Sequence, residues 1–209
     1  IWYHQTIDLV VPFLQDQGIP ATFFLNTSNL DDDKLLWFVY INALCFEKTY
    51  GQLILDSNQL PLHTEEQCYA TWQTLIKKAR ASQDPIGFSN ELAAMYPLPE
   101  EVISKYSGVS RKQLTTLAES QLFEIGGHTH HHPYLDQLDR TKQHDEVLNN
   151  KQVLESITKR ELRYFAYPGG FYNRDSIQIV QQAGFQAALA VIPGSYGTNP
   201  LYELPRTGI

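Results

Sequence analysis

The chain has 209 residues, of which 43% are hydrophobic and 19% charged, and this composition excludes a disordered or low-complexity protein. Its length suits one domain, which we assign to residues 1–209. With 16 Lys and Arg against 23 Asp and Glu, the net charge is −7. That is the wrong sign for a protein that binds nucleic acid through its phosphates, so we expect no nucleic-acid partner.

The most apolar stretch, residues 35–46, contains Asn42 and has charged residues on both sides. It is shorter than the roughly 20 residues that a membrane span requires, so it predicts a buried helix and no transmembrane segment. Cys45 and Cys68 are too few for a disulfide scaffold or a cysteine zinc site. The cysteines therefore leave the redox compartment undecided, and nothing in the sequence indicates an oligomeric state.

Helices and strands alternate over most of the chain. Apolar residues at positions 7, 10, 11 and 14 predict a helix that ends near Gly18, before a strand at residues 21–25. The same order of helix and then strand recurs three times, with helices near 112–119, 141–158 and 176–183 and strands near 122–125, 162–167 and 185–191. Such alternation is typical of parallel strands joined by crossover helices, and so of an α/β fold, either an open sheet or a barrel.

The alternation stops between about residues 29 and 110, where we place a mostly helical insertion. Helices are predicted at residues 34–48 and 65–81, with a hairpin at residues 52–62 between them. Three aromatic residues of the insertion could stack on sugar rings, but their helical positions favour packing in a core. They are Trp37, Tyr69 and Trp72.

Four of the seven histidines lie within residues 126–133, GGHTHHHP, directly after a predicted strand. Loops at the carboxyl ends of parallel strands are where α/β folds place their sites. His128 and His132 are four residues apart, so one turn of helix would let both bind the same divalent ion. A catalytic zinc usually has three protein ligands, so a third would come from elsewhere.

The alternative is a His-rich turn that is merely polar. We favour the metal site because two glycines after a strand, a terminating Pro133 and four crowded imidazoles occur together. One turn cannot direct four rings at one ion, so His130 and His131 are expected to lie behind the ligands or in solvent.

Residues 124–133, EIGGHTHHHP, resemble the His-(Ser/Thr)-x-x-His-Pro motif of polysaccharide deacetylases. That family includes chitin, peptidoglycan and poly-N-acetylglucosamine deacetylases. Two further segments are similar to family motifs and occur in the family's order. Residues 18–25, GIPATFFL, look like its second strand, and residues 163–170, RYFAYPGG, look like its Phe-x-x-Pro-(Tyr)-Gly motif.

The resemblance implies a distorted (β/α) barrel that hydrolyses N-acetyl groups of an amino-sugar polysaccharide or oligosaccharide. It implies one divalent metal, usually zinc, held by Asp-His-His, with His128 and His132 as the two histidine ligands. It also implies that the loop with Tyr167 and Gly169 lines the acetyl pocket, with the Gly169 N–H as a candidate oxyanion donor. A plain Pro-Gly turn is the alternative for that loop. The resemblance alone favours a location outside the cytoplasm.

The family's first motif, Thr-Phe-Asp-Asp-Gly, supplies the base and the third metal ligand, and it does not occur in this sequence. The length of the first helix puts Ile1 about where the second Asp belongs, so we expect the Asp pair upstream of Ile1. The alternative is a catalytically inactive glycan-binding or structural member of the same fold, and a hydrolase of another amide or ester is a third possibility.

Two further positions bear on the base. Ala166 stands where many members have an arginine that orients it, so Arg163 is a candidate substitute, unless it is simply a surface residue of its strand. If the base instead lay within the chain, Asp136 and Asp175 would be the first candidates.

Overall fold

A computed structural model gives the fold for residues 4–31, 34–191 and 200–206, with side chains described from Ile7 onward. The elements in chain order are α1 (His4–Asp16), β1 (Ala21–Leu25), α2 (Trp37–Phe46), β2 (Gln52–Leu55), β3 (Asn58–Pro61), α3 (Glu65–Ala81), α4 (Pro85–Met95), α5 (Glu100–Lys105), α6 (Arg111–Glu119), β4 (Phe123–Gly127), α7 (Arg140–Thr158), β5 (Tyr164–Ala166), α8 (Arg174–Gln182), β6 (Ala187–Ala190) and β7 (Leu204–Pro205). Short 3₁₀ turns lie at Leu135–Gln137, Pro168–Gly170 and Pro200–Tyr202.

The chain divides into two compact units. One comprises residues 1–32 and 108–209, and we call it the sheet unit. The other comprises residues 33–107, and we call it the helical unit. The assignment of both units to a single domain stays a prediction.

The sheet unit contains five parallel strands in the order β1-β4-β5-β6-β7. Each of the strands β1, β4, β5 and β6 follows a helix, which confirms the predicted alternation. Within the described residues the sheet is open, with β1 and β7 at its edges, so the strands do not close into the barrel that the family resemblance implied.

Aromatic residues fill the core of the sheet unit. Phe23 and Phe123, on neighbouring strands, meet edge to face with ring centroids 5.3 Å apart, and Phe165 and Phe185 lie 5.3 Å apart. Burial of such a ring contributes about 1.5–3 kcal/mol. A Cβ on Gly126 would lie 2.5 Å from the ring of Phe24, so the first glycine after the predicted strand allows close packing between β1 and β4.

The helices predicted at residues 112–119, 141–158 and 176–183 are confirmed within two residues at each end, and side chains fix their starts. The helix predicted from Ile7 is α1, which begins three residues earlier. Ser110 and Asn173 form capping boxes at α6 and α8, and Asp139 accepts from the Lys142 N–H at α7. The predicted strands at residues 162–167 and 185–191 are shorter in the structure, at Tyr164–Ala166 and Ala187–Ala190. Apolar residues continue beyond the paired stretch in both, so their pattern did not reveal where pairing ends.

The helical unit contains α2 to α5 and the antiparallel hairpin β2–β3. Thr64 forms a capping box, and the predicted helix at residues 65–81 is confirmed to the residue. The helix predicted at residues 34–48 is shorter, and it begins after Leu36, which has an extended backbone. Its buried side chains pack against α3 and α4, and this supplies the core of the unit.

Two sequence predictions for the helical unit have different outcomes. Trp37 is buried as expected, whereas Tyr69 is 53% exposed and stacks on Trp72 with centroids 5.6 Å apart. Tyr69 faces solvent on α3, so its predicted place in the core is wrong. Cys45 and Cys68 are free and buried, and burial raises the pKa of the Cys45 thiol to about 12. In the described part of the chain, every helix is too short or too polar to span a membrane.

Candidate metal centre

The His loop, residues 128–132, follows β4 at the carboxyl edge of the sheet. Thr129 and His132 have positive φ, 65° and 61°, so the loop is not the helical turn that the spacing predicted. The Thr129 hydroxyl accepts from the His132 N–H at 3.1 Å and supports this conformation. Left-handed residues at both positions bring the rings of His128 and His132 together, with centroids 4.9 Å apart and planes at 73°.

The ring of His128 is fixed by a backbone carbonyl. Its Nδ1 lies 2.6 Å from the Ala166 oxygen, at the end of β5. A carbonyl can only accept, so Nδ1 carries the proton in this arrangement and Nε2 keeps its lone pair. Metal-binding histidines use their second nitrogen in this way, because the hydrogen bond orients the ring and sets its tautomer.

Both rings are held in their neutral form. Burial lowers the pKa of His128 to about 3; the charge of Arg206 acts in the same direction, and the hydrogen bond to Ala166 opposes it. Burial also lowers the pKa of His132 well below its ordinary value, with a further contribution from His128. The pair is therefore neutral at pH 7, which is the form that binds metal ions.

Two neutral imidazoles in contact fit half of a zinc site. Among the residues that the structure describes, no three His, Cys, Asp or Glu side chains are placed to hold an ion together. Imidazole nitrogens are suitable donors for a divalent metal, and His128 and His132 are the two described residues that would hold it.

His130 and His131 point to other partners. The Nδ1 of His130 lies 2.7 Å from the Thr27 hydroxyl. His131 pairs with Glu146 of α7, through Nδ1 at 2.7 Å and through its backbone N–H at 2.8 Å. These contacts anchor the loop, and both residues are half-buried and bonded to partners outside the pair. That neither binds the ion stays a prediction.

Sequence reasoning missed two amides that hold the loop. The side chain of Asn26 donates to the carbonyls of His128 and Thr129, and that of Asn150 accepts from the His128 N–H at 3.0 Å. A signal for Asn150 was present, because it occupies the i+3 position between Val147 and Leu154 on the buried stripe of α7.

The ring of Tyr167, in the loop after β5, belongs to the core. Tyr167 is fully buried, stacks on Tyr172 at 4.5 Å and donates its hydroxyl to the Tyr202 carbonyl. That the loop lines an acetyl pocket stays a prediction.

Gly169 has φ +60°, and a Cβ there would lie 2.9 Å from Phe171 and 3.1 Å from Tyr134, two residues after His132. The turn at Gly169 thus needs glycine and lies against the chain that leaves the His loop. Its role as an oxyanion donor stays a prediction.

Arg163 does not reach the site. It precedes β5 and binds Glu124 with Nη2 and Oε2 2.7 Å apart, whereas His128 contacts Ala166 at the other end of the strand. The suggestion that Arg163 replaces the missing arginine is therefore wrong. Asp175 is exposed and binds Arg140 at 2.5 Å.

The cation that the structure brings near the His pair is Arg206. It follows β7, and its Nη2 donates to the Tyr167 carbonyl at 2.9 Å. His128 bonds to the preceding carbonyl, that of Ala166, so the guanidinium lies at the same end of β5 as the pair.

The sequence model of the polysaccharide deacetylase family matches residues 2–188. The chain therefore belongs to the polysaccharide deacetylase family. Among curated proteins, the putative polysaccharide deacetylase YxkH of Bacillus subtilis (strain 168) is 22% identical over 102 residues. That match covers 48% of this chain and 36% of the Bacillus protein, so the chain corresponds to about a third of its length.

Two solved structures show the same fold. The BpsB deacetylase domain from Bordetella bronchiseptica superposes with a TM-score of 0.55 at 15% identity, over 98% of this chain and 67% of that domain. IcaB from Ammonifex degensii gives a TM-score of 0.52 at 14% identity, over 90% of this chain and 56% of that protein. These likenesses confirm the predicted fold class, an α/β fold of the polysaccharide deacetylase type.

Proposed function

We propose that this protein is a metal-dependent hydrolase that removes N-acetyl groups from an amino-sugar polysaccharide, with His128 and His132 holding the ion. The observation that carries the proposal is the pair of buried, neutral imidazoles at the carboxyl edge of the sheet, one of them fixed by Ala166. Zinc is the proposed ion because imidazole is one of its usual protein ligands.

A divalent ion in this position supplies Lewis acidity for an acetyl carbonyl and lowers the pKa of a water molecule. The chain's own contribution is to present two neutral rings at fixed orientation and to shield them from solvent. The turn at Gly169 lies against the residues that follow the His loop, and its N–H is the proposed donor to the developing oxyanion. The proposal also requires a base and a third ligand, which in the family come from an Asp pair.

A second candidate is a glycan-binding member without catalytic activity. It is favoured by one observation, that the described residues place no carboxylate with the His pair to complete a metal group. The two candidates agree on the ligand, an N-acetylated glycan, and differ in whether acetate is released.

The test is acetate release from N-acetylglucosamine oligomers by the natural full-length protein, with and without a chelator. We expect release that the chelator and His128→Ala abolish and that His144→Ala, an exposed histidine on α7, leaves unchanged. Residues 1–209 alone should release little or no acetate. If the full-length protein binds N-acetylglucosamine oligomers without releasing acetate, the glycan-binding candidate is established and the hydrolase is overturned.

A further inference from the structure

The backbone ladder between β1 and β4 ends at the pair Leu25 and Gly127. The next residue of β4's chain is His128, the first of the two proposed ligands. Buried backbone groups beyond the last pair still need hydrogen-bond partners. For the Leu25 carbonyl and the His128 N–H, the side-chain amide of Asn150 supplies them.

The amide of Asn150 bonds to both chains. Its Oδ1 accepts from the His128 N–H at 3.0 Å, and its Nδ2 donates to the Leu25 carbonyl at 2.9 Å. Its Nδ2 also donates to the Thr27 hydroxyl at 3.4 Å. The bonds to His128 and Leu25 are those that a backbone peptide would make in a sheet. The amide thus links the end of β1 to the residue after β4, where the His loop begins.

Gly127 makes room for this amide. A Cβ on Gly127 would lie 2.9 Å from the Asn150 Oδ1, closer than real Cβ contacts allow. The amide of Asn150 therefore fits because the residue 23 positions earlier, the second glycine of the His motif, has no side chain.

A buried amide at this position lowers the stability of the fold unless its polar groups are hydrogen-bonded. Asn150 is fully buried on α7, between Val147 and Leu154 on the helix face that packs on the sheet. A leucine would fit the pattern, whereas a buried amide loses about 1–3 kcal/mol for each polar group left without a partner. The bonds to His128 and Leu25 offset that cost and fix the backbone of His128.

We propose that Asn150 is a positioning residue for the His pair. It acts through the backbone N–H of His128, and so holds the ring in the place where Nδ1 reaches the Ala166 carbonyl and Nε2 is left to bind an ion. The part of this inference that concerns metal binding rests on the proposed function. The positioning itself does not, because the hydrogen bonds involve the protein alone.

A purely structural role is the competing explanation, and α7 offers a matched control. Gln143 is also a buried amide of α7, and it donates to the Leu138 carbonyl at 2.9 Å and accepts from the Ser176 hydroxyl at 2.6 Å. Leu138 and Ser176 lie outside the His loop. Asn150→Leu and Gln143→Leu therefore remove comparable amides, and only the first removes a contact of His128.

The first readout is nitrogen-15 NMR of the imidazole rings in metal-free protein. We expect His128 to be a single Nδ1–H tautomer in the native protein and in Gln143→Leu, and to show tautomer exchange or broadening in Asn150→Leu. Asn150→Asp keeps an acceptor for the His128 N–H, so it should lie between them, and it serves as the test if Asn150→Leu does not fold. Equal His128 spectra in all variants would overturn the proposal.

The second readout is Zn²⁺ affinity by calorimetry. Asn150→Leu should weaken binding about 10–100-fold, the usual cost of losing a group that orients a metal ligand, while Gln143→Leu stays within about threefold. Equal losses in the two variants would overturn positioning and leave the metal site standing. A native protein with an ordered His128 that binds no Zn²⁺ would overturn the proposed function and leave positioning standing.

Discussion

The sheet unit and the helical unit bury different kinds of side chain. In the described part of the helical unit, the buried polar residues are Thr71 and Ser89, and each bonds to a single backbone carbonyl. The sheet unit buries many more, and its largest group lies at the carboxyl edge of the sheet: Asn26, Thr27, His128, Thr129, His132 and Asn150. The helical unit is therefore stabilised mainly by apolar packing. In the sheet unit, buried polar side chains replace apolar ones at one edge, and there they orient two imidazoles.

The largest effect that would test this contrast is a cavity in the helical unit. Leu75 is fully buried on α3, so Leu75→Ala should lower the free energy of unfolding by about 2–5 kcal/mol. Thermal or urea unfolding measures the loss, and the imidazole spectrum of His128 should not change. A changed His128 spectrum in folded Leu75→Ala protein would show that the two units are not separate in this respect.

The second test distinguishes the sheet unit by its response to acid, an effect that is smaller for each pH unit and each histidine. Burial lowers the pKa of His128 to about 3 and that of His132 below its ordinary 6.5, so the unfolded chain binds more protons between those pH values. The free energy of unfolding should therefore have its full value above pH 6.5. Below pH 6.5 it should decrease as the pH is lowered, by up to about 1.4 kcal/mol per pH unit for each histidine.

Urea unfolding of metal-free protein at a series of pH values measures this slope. His128→Asn should make it shallower, whereas His144→Asn, which changes an exposed histidine, should not. The same slope in both variants would mean that His128 is not held neutral by burial.

The smallest expected effect concerns the other end of β5. Arg163 and Glu124 form an ion pair in which the arginine is 44% exposed, and exposed pairs contribute little to stability because water and salt screen them. Arg163→Ala should thus change the free energy of unfolding little and leave Zn²⁺ affinity unchanged. A marked loss of affinity would return Arg163 to the site and contradict the geometry.

Local patterns predicted most of the fold. Periodic apolar residues defined helices such as α7, because this signal lies within a few neighbouring residues. The His motif likewise placed His128 and His132 at a strand end. Its helical geometry was wrong, because positive φ at Thr129 and His132 depends on hydrogen bonds that local spacing does not encode.

What sequence could not predict comes from residues far apart in the chain. Asn150 meets His128 only when α7 packs on the sheet, and Ala166 meets its ring only when β5 pairs beside β4. Tyr167 was assigned to a pocket from its motif, yet its contacts with Tyr172 and Tyr202 place it in the core. In each case the partner is set by tertiary packing.

The central claim is that His128 and His132, and not their neighbours, form the metal centre. Zn²⁺ calorimetry on four variants, each with one histidine of the His loop changed to alanine, tests it most directly. We predict that His128→Ala and His132→Ala weaken binding by more than the roughly 10–100-fold that an orienting group costs, and that His130→Ala and His131→Ala stay within that range. Equal losses in all four variants, or the larger losses at His130 and His131, would contradict the claim.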